Sequence, residues 1–128
     1  MKRSLPKKKL LVIDDDPAVL FAFRKLFGKS DFQVDTSESF DEAKKFIDKN
    51  IYQLIITDLG FSETINEAGI AISQYARKKI PGVKIILWTG MDLSRISEKA
   101  RQAQIDLCLI KPVSPNLIQS LVENLRCI

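Results

Sequence analysis

The sequence predicts one α/β domain built on a doubly wound, five-stranded parallel sheet with helices on both faces. Two observations lead to this prediction. Five short apolar segments alternate along the chain with five segments whose apolar residues recur at helical spacing. Four of the short segments are almost continuously apolar, which is typical of strands buried on both faces. Strict alternation of strands and helices favours parallel pairing, because each crossover helix returns the chain to the same edge of the sheet.

The predicted strands are short, and one of them differs from the rest in its pattern. They are Leu10–Ile13, Phe32–Thr36, Leu54–Thr57, Val83–Trp88 and Leu107–Ile110. The second strand alternates apolar with polar residues, which indicates an edge strand. The other four are predicted to be buried.

Capping signals mark the first two helices. Asp16 is suited to the N-cap of the first helix, with Pro17 as its first residue and Gly28 at its end. Ser39 and Glu42 have the spacing of a capping box at the start of the second helix. The predicted inward-facing residues of these helices are Val19, Leu20, Phe23, Leu26 and Phe27 in the first, and Ala43, Phe46 and Ile47 in the second.

Apolar spacing predicts the remaining three helices. Pro81-Gly82 ends the third helix and Ser114-Pro115 opens the fifth. The predicted inward-facing residues are Ile72, Tyr75, Ala76 and Ile80 in the third, Leu93, Ile96, Ala100 and Ala103 in the fourth, and Leu117, Ile118, Leu121, Val122 and Leu125 in the fifth.

Length and charge indicate a single domain preceded by a basic arm. The 128 residues, of which 45% are hydrophobic, suffice for one core. The net charge of +4 depends on five cations before Leu10, without which the rest of the chain carries −1. We therefore divide the chain into a basic arm, residues 1–9, and a domain, residues 10–128. We do not expect this domain to bind nucleic acid.

Other features of the composition restrict location and chemistry. No apolar run is long enough to span a bilayer, and the N-terminus lacks the pattern of a signal peptide. Cys108 and Cys127 do not suggest a disulfide framework, so we expect a cytoplasmic protein without membrane contact. The absence of histidine excludes histidine-based catalysis and disfavours a zinc site.

Polar side chains follow four of the predicted strands. Asp14 and Asp15 follow the first strand, Asp58 the third, Thr89 the fourth and Lys111 the fifth. Ligands bind at the carboxyl ends of the strands in sheets of this kind, so we expect these side chains to converge on one crevice. Three neighbouring carboxylates repel one another, and Mg²⁺ bound through their oxygen atoms would offset that repulsion.

This set of groups suits phosphoryl transfer. The charges of three carboxylates, one Mg²⁺ ion and the Lys111 ammonium cancel. A carboxylate beside the ion would then attack phosphorus to give an acyl phosphate. Lys111 would screen the transferring group, and the Thr89 hydroxyl would donate a hydrogen bond to it.

Each residue taken singly also has a structural explanation. Asp16 is more simply explained as a helix cap than as a metal ligand, and Trp88 as a packing residue. Asp14, Thr89 and Lys111 are each explained by ordinary polarity at a strand end. Their coincidence at the ends of four strands of one sheet favours a shared site.

At these positions the chain resembles the receiver domain of two-component response regulators, from about Leu10 to Leu125. The segments that carry the resemblance are Leu-Leu-Val-Ile-Asp14-Asp15-Asp16-Pro, Leu-Ile-Ile-Thr-Asp58-Leu, Thr89-Gly90 and Lys111-Pro112. The resemblance implies a flavodoxin-like fold with strand order 2-1-3-4-5. It also implies Asp58 as phosphoacceptor, and Mg²⁺ bound by Asp15 directly, by Asp14 through water or a second contact, by Asp58 and by the Gly60 carbonyl.

The resemblance further implies the partners of such a domain. A sensor histidine kinase or histidine phosphotransfer protein would supply the phosphoryl group, and a downstream protein would bind the phosphorylated form. The domain would not be an enzyme, beyond its own phosphorylation and slow autodephosphorylation. Both a monomer and a homodimer are compatible with the sequence.

Two departures from the family pattern leave an alternative function open. Cys108 stands where the family has a switch aromatic, and the connection from Asp58 to Gly69 is about three residues longer than usual. A receiver-like interaction module that does not switch by phosphorylation is therefore the second hypothesis.

Two further hypotheses fit the sequence less well. An aspartyl-phosphate hydrolase using Asp14 and Asp16 would need more chain than this domain has. A flavin-binding protein of similar topology would have its flavin phosphate repelled by the acidic residues after the first strand.

Overall fold

The computed structural model describes residues 8–28, 32–58, 68–90, 97–111 and 114–125. At residues 97, 99, 100, 115, 121 and 123–125 it describes the backbone alone. The strands are β1 (Lys8–Ile13), β2 (Phe32–Ser37), β3 (Leu54–Asp58), β4 (Lys84–Thr89) and β5 (Leu107–Ile110). The helices are α1 (Pro17–Phe27), α2 (Phe40–Lys49), α3 (Ala68–Lys79), α4 (Ser97–Gln102) and α5 (Pro115–Leu125).

The five strands form one parallel sheet in the order β2-β1-β3-β4-β5. Both the fold class and the strand order are therefore confirmed. In register, Ile13 at the end of β1 pairs with Thr57 on β3. Asp58 at the end of β3 pairs with Trp88 on β4. The ends of β1, β3 and β4 consequently lie side by side at the carboxyl edge of the sheet.

The core has a layer on each face of the sheet, because successive residues of a strand point to opposite faces. Leu10, Val12, Leu54, Ile56, Ile86 and Trp88 pack beneath α1 and α5. Leu11, Ile13, Ile55 and Ile85 pack beneath α2 and α3. This two-sided burial explains why the central strands are continuously apolar in sequence. The prediction that β5 is buried is wrong, because β5 lies at the edge of the sheet and Ile110 is 49% exposed.

Side-chain oxygen atoms cap the N-termini of the helices that frame the site. The Asp16 carboxylate accepts a hydrogen bond from the Ala18 N–H at 2.9 Å and caps α1, as predicted. Ser39 Oγ accepts from the Glu42 N–H at 3.1 Å and caps α2. The second half of the predicted capping box differs, since the Ser39 N–H donates to Ser37 Oγ at 3.3 Å.

Ser114 Oγ accepts a hydrogen bond from the Leu117 N–H at 3.2 Å at the start of α5, which begins as predicted. One prediction for this helix is wrong, since Leu117 is 49% exposed. Ile118 and Val122, one helical turn apart, are buried and define the inward direction. Leu117 is rotated away from that direction by about 100°, so its side chain reaches solvent.

The first strand begins earlier than predicted. Lys8 and Lys9, which the sequence assigns to the basic arm, belong to β1 and pair with Phe32 and Gln33 on β2. Residues 1–7 of the arm lie outside the described residues. The predicted core residues Leu93 and Ile96, and the side chains of Ala100, Leu121 and Leu125, also lie outside them.

None of the helices in the described part of the chain is long and apolar enough to cross a membrane.

Candidate functional site

Three aspartates meet at the carboxyl edge of the sheet. Asp14 and Asp15 directly follow β1, and Asp58 is the last residue of the neighbouring β3. One carboxylate oxygen from each lies within 4.8 Å of the other two. Asp14 is 1% exposed and Asp58 8% exposed, while Asp15 lies at the surface. The predicted convergence of these residues is therefore observed.

Asp14 is buried with both of its carboxylate oxygens paired. Its Oδ1 accepts from the Asp16 N–H at 3.0 Å, and its Oδ2 accepts from the Lys111 ammonium at 2.8 Å. The Asp14 N–H donates to the Ser37 carbonyl oxygen at 3.1 Å, which anchors the end of β1 to β2. These contacts hold the carboxylate in place, and burial without them would be costly.

Lys111 supplies the positive charge of the site. Besides its 2.8 Å contact with Asp14, its Nζ lies 3.7 Å from Oδ2 of Asp58. The Lys111 N–H donates to the Thr89 carbonyl oxygen at 2.7 Å, so the chain leaves β5 directly beside the end of β4. The ammonium therefore lies between two carboxylates that come from different strands.

Thr89 ends β4 and is buried beside the aspartates. Its strand neighbour Trp88 pairs in register with Asp58, which places Thr89 at the mouth of the site. The Thr57 hydroxyl donates to the Asp58 carbonyl oxygen at 2.9 Å. Gly60, the remaining predicted ligand, lies outside the described residues.

The donor atoms of this cluster fit a hard divalent cation. Three carboxylates and one ammonium leave a formal charge of −2, and the clustered ligand atoms are oxygens. Mg²⁺ prefers oxygen ligands and is typically held by one or two carboxylates together with water. The residues present therefore suit Mg²⁺.

Trp88 on β4 and Cys108 on β5 lie next to the site. Trp88, expected to serve packing alone, also lies with its ring centroid 5.9 Å from the Lys111 ammonium. The sequence feature that could have indicated this contact is the position of Trp88 next to Thr89 at a strand end. Cys108 lies on β5 opposite Leu87, and burial raises the pKa of its thiol. That burial suits a small packing residue at this position.

The model of the response regulator receiver domain family matches residues 10–123. The transcriptional regulatory protein ComA of Bacillus subtilis is 32% identical over 114 residues, which cover 87% of this chain and 52% of that protein. The alginate biosynthesis transcriptional regulatory protein AlgB of Pseudomonas aeruginosa is 24% identical over 111 residues, which cover 87% of this chain and 24% of that protein. The chain thus spans between a quarter and a half of the length of these curated relatives.

Solved structures show the same fold. A CheY-like receiver domain protein from Methanospirillum hungatei superposes with a TM-score of 0.82 at 26% identity, over 94% of both chains. The response regulator protein TrrA from Thermotoga maritima, solved in complex with Mg²⁺ and BeF, gives a TM-score of 0.76 at 25% identity, over 92% of this chain and 98% of that one. The family match, the strand order and the acidic cluster agree, and this chain belongs to the response regulator receiver domain family of two-component systems.

Proposed function

We propose that this chain accepts a phosphoryl group on Asp58 in a Mg²⁺-dependent reaction and transmits the signal through protein contacts. The observation that carries the proposal is the grouping of three carboxylates within 4.8 Å around a lysine ammonium. Receiver domains in general are signalling phosphoacceptors that bind Mg²⁺ at an acidic pocket and interact with histidine kinases and downstream effectors. The site has the charges and oxygen donors that such a role requires.

Asp58 is the best-placed acceptor among the three aspartates. Asp14 is 1% exposed, and its contacts with Lys111 at 2.8 Å and with a backbone N–H hold its carboxylate in place. Asp58 Oδ2 lies farther from the ammonium, at 3.7 Å, at the mouth of the site. Its carboxylate can therefore approach phosphorus while Lys111 remains close to the incoming charge.

Asp14, Asp15 and Asp58 would hold Mg²⁺, with the Gly60 carbonyl as a fourth ligand by family resemblance. The bound ion would neutralise charge on the carboxylates and on the transferring group. The buried Asp14 would orient the set through its contact with Lys111, and the exposed Asp15 would face the incoming donor.

The transfer itself needs only positioning and charge screening from the chain. A carboxylate oxygen of Asp58 attacks the phosphorus of a phosphohistidine on the donor protein. The new O–P bond forms as the N–P bond breaks, and the electron pair returns to the imidazole nitrogen. The Lys111 ammonium screens the oxygens of the transferring group, and the Thr89 hydroxyl donates a hydrogen bond to one of them.

The proposed donor is a sensor histidine kinase or a histidine phosphotransfer protein, and the proposed receiver of the signal is a downstream protein. The relatives ComA and AlgB are named transcriptional regulators, so they do not support the expectation that this domain binds no nucleic acid. We propose that this chain passes its signal on through protein contacts and does not catalyse a reaction on a separate substrate. A cytoplasmic location remains part of the proposal.

Incubation with Mg²⁺ and acetyl phosphate, followed by intact mass spectrometry, tests the proposal. We expect the parent chain to gain one transient phosphoryl group and Asp58→Asn to gain none. The matched control is Asp41→Asn, at an exposed aspartate outside the cluster, which should label like the parent. Labelling of Asp58→Asn at the parental rate would show that the acceptor is a different residue.

The same experiment separates the other hypotheses. A non-switching interaction module would not label at all. A hydrolase would release inorganic phosphate over many turnovers, whereas an acceptor holds one phosphoryl group per chain.

A further inference from the structure

Trp88 contacts the site as well as the core. It is 8% exposed and packs in the layer beneath α1 and α5, where its ring meets the Phe23 ring edge-on at 5.8 Å and 77°. The Lys111 ammonium lies over the indole ring, 5.9 Å from its centroid. A cation at this distance from an aromatic centroid is attracted by the negative face of the ring.

Core packing does not explain why this residue is a tryptophan. Within the described residues, the buried indole Nε1–H of Trp88 has no hydrogen-bond partner. An indole Nε1–H needs an acceptor when it is buried, and a phenylalanine would pack against Phe23 without that requirement. A side chain that core packing does not require is expected where it serves a function, and the indole face beside Lys111 is such a place.

The contacts of Lys111 show what the ring contributes. Its strong polar contact is with Asp14 at 2.8 Å, while Asp58 is 3.7 Å away. The Lys111 side chain is flexible and 27% exposed, so the contact with Asp14 by itself leaves several directions open to it. The Trp88 ring blocks one of these directions and so keeps the Lys111 ammonium near Asp58.

We propose that Trp88 is a positioning residue, whose aromatic face holds the Lys111 ammonium where it screens the phosphoryl group on Asp58. This inference rests on the proposed function. It concerns the rate of phosphoryl transfer, since the Trp88 ring acts through Lys111.

Two substitutions of Trp88 distinguish the effect of its aromatic face from the effect of the volume that it fills. Trp88→Phe keeps an aromatic face and removes the indole N–H, whereas Trp88→Leu keeps an apolar side chain without an aromatic face. For a partly exposed cation–π pair, we expect Trp88→Leu to slow labelling by acetyl phosphate about fivefold. Trp88→Phe should retain most of the parental rate. The matched control is Phe27→Leu, which removes a ring that packs on Phe23 and Phe32 in the same core layer and should label like the parent.

Nuclear magnetic resonance gives a second readout that does not depend on labelling. The ε-methylene protons of Lys111 should resonate upfield of their position in the unfolded chain, because the adjacent Nζ lies 5.9 Å from the centroid of the Trp88 ring. Lys25, Lys44 and Lys79 also lie over aromatic rings, so the reference is the unfolded chain and not the other lysines. This displacement should persist in part in Trp88→Phe and vanish in Trp88→Leu. If Trp88→Leu does not fold, the parent spectrum still decides, since an ordinary Lys111 resonance there would overturn the inference.

The labelling results separate failure of this inference from failure of the proposed function. If the parent labels and folded Trp88→Leu labels equally fast, Trp88 does not position Lys111 and the proposed function stands. If the parent does not label, the proposed function is wrong, and this inference falls with it.

Discussion

Replacing Asp58 by asparagine should stabilise the fold in the absence of divalent cations. The structure groups the carboxylates of Asp14, Asp15 and Asp58 within 4.8 Å, and Lys111 is the cation that contacts this cluster. Asparagine preserves the shape of Asp58 and removes its charge. The substitution therefore relieves repulsion and gives up one attraction, and the distances indicate which of these is larger.

The two effects can be compared through Coulomb's law. At an effective dielectric constant of about 20, two like charges 4.8 Å apart repel by about 3.5 kcal/mol, and the Lys111–Asp58 separation of 3.7 Å gives an attraction of about 4.5 kcal/mol. With Asp14, Asp15 and Lys111, Asp58 makes two such repulsions and one such attraction. Solvent screens Asp15 and Lys111 and reduces all of these values, so we expect a net stabilisation of about 1–2 kcal/mol.

Urea denaturation in buffer with chelator, and again with Mg²⁺, measures the effect. With chelator, the asparagine variant should unfold at a higher urea concentration than the parent. About 10 mM Mg²⁺ should stabilise the parent by about 1.4 kcal/mol for a dissociation constant of about 1 mM, and the variant by less. The advantage of the variant should therefore shrink or disappear when Mg²⁺ is present.

The control for this experiment is Asp16→Ser. Asp16 lies beside the cluster but caps α1, and serine preserves a capping oxygen, so its stability should change by less than about 0.5 kcal/mol. An Asp58→Asn chain that is less stable than the parent with chelator would refute the reasoning. It would mean that the attraction to Lys111 outweighs the mutual repulsion of the carboxylates.

Three further predictions follow from individual contacts. Asp15→Ala should remove Mg²⁺ binding in a calorimetric titration, while Asp16→Ser leaves it nearly intact. A greater loss of binding in Asp16→Ser would mean that Asp16, and not Asp15, is the metal ligand. The Tyr52 hydroxyl donates to the Asp35 carboxylate on β2 at 2.7 Å, and burial and this hydrogen bond raise the pKa of Tyr52. The stability of the parent should therefore fall as pH rises above about 10, where the unfolded chain releases a proton that the folded chain keeps, and Tyr52→Phe should show a weaker decline. In denaturant, Ile118→Ala should cost about 2–4 kcal/mol, whereas Leu117→Ala at the exposed neighbouring position should change stability by less than about 0.5 kcal/mol; equal losses would contradict the orientation of α5.

Much of the architecture was predictable because its signals are local. The buried strand β3 is continuously apolar up to Thr57 and could be located from composition to within a residue. The apolar run of β5 located that strand equally well, although β5 is a half-buried edge strand. The N-caps of α1 and α2 depend on Asp16 and Ser39, whose side chains bond to backbone two or three residues away. Such interactions are encoded in short spans of sequence.

The candidate site was predictable in its members but less so in its geometry. The residues that follow each strand were visible in the sequence, and any parallel sheet brings strand ends to one edge. Periodicity does not say which strands are neighbours, so the order that places Asp14 next to Asp58 came from the family resemblance. The roles of the individual aspartates came from the same source.

The sequence by itself determined the strands, the helices and the chemical groups at the carboxyl edge of the sheet. Only the tertiary structure decided that Lys111 lies closer to Asp14 than to Asp58, that its ammonium rests over Trp88, and that Leu117 faces solvent. Lys111 and Asp14 are 97 positions apart, and their contact depends on how the connected elements pack together. Apolar spacing selects one side of a helix, but the neighbouring layer determines which residues at the margin of that side are covered.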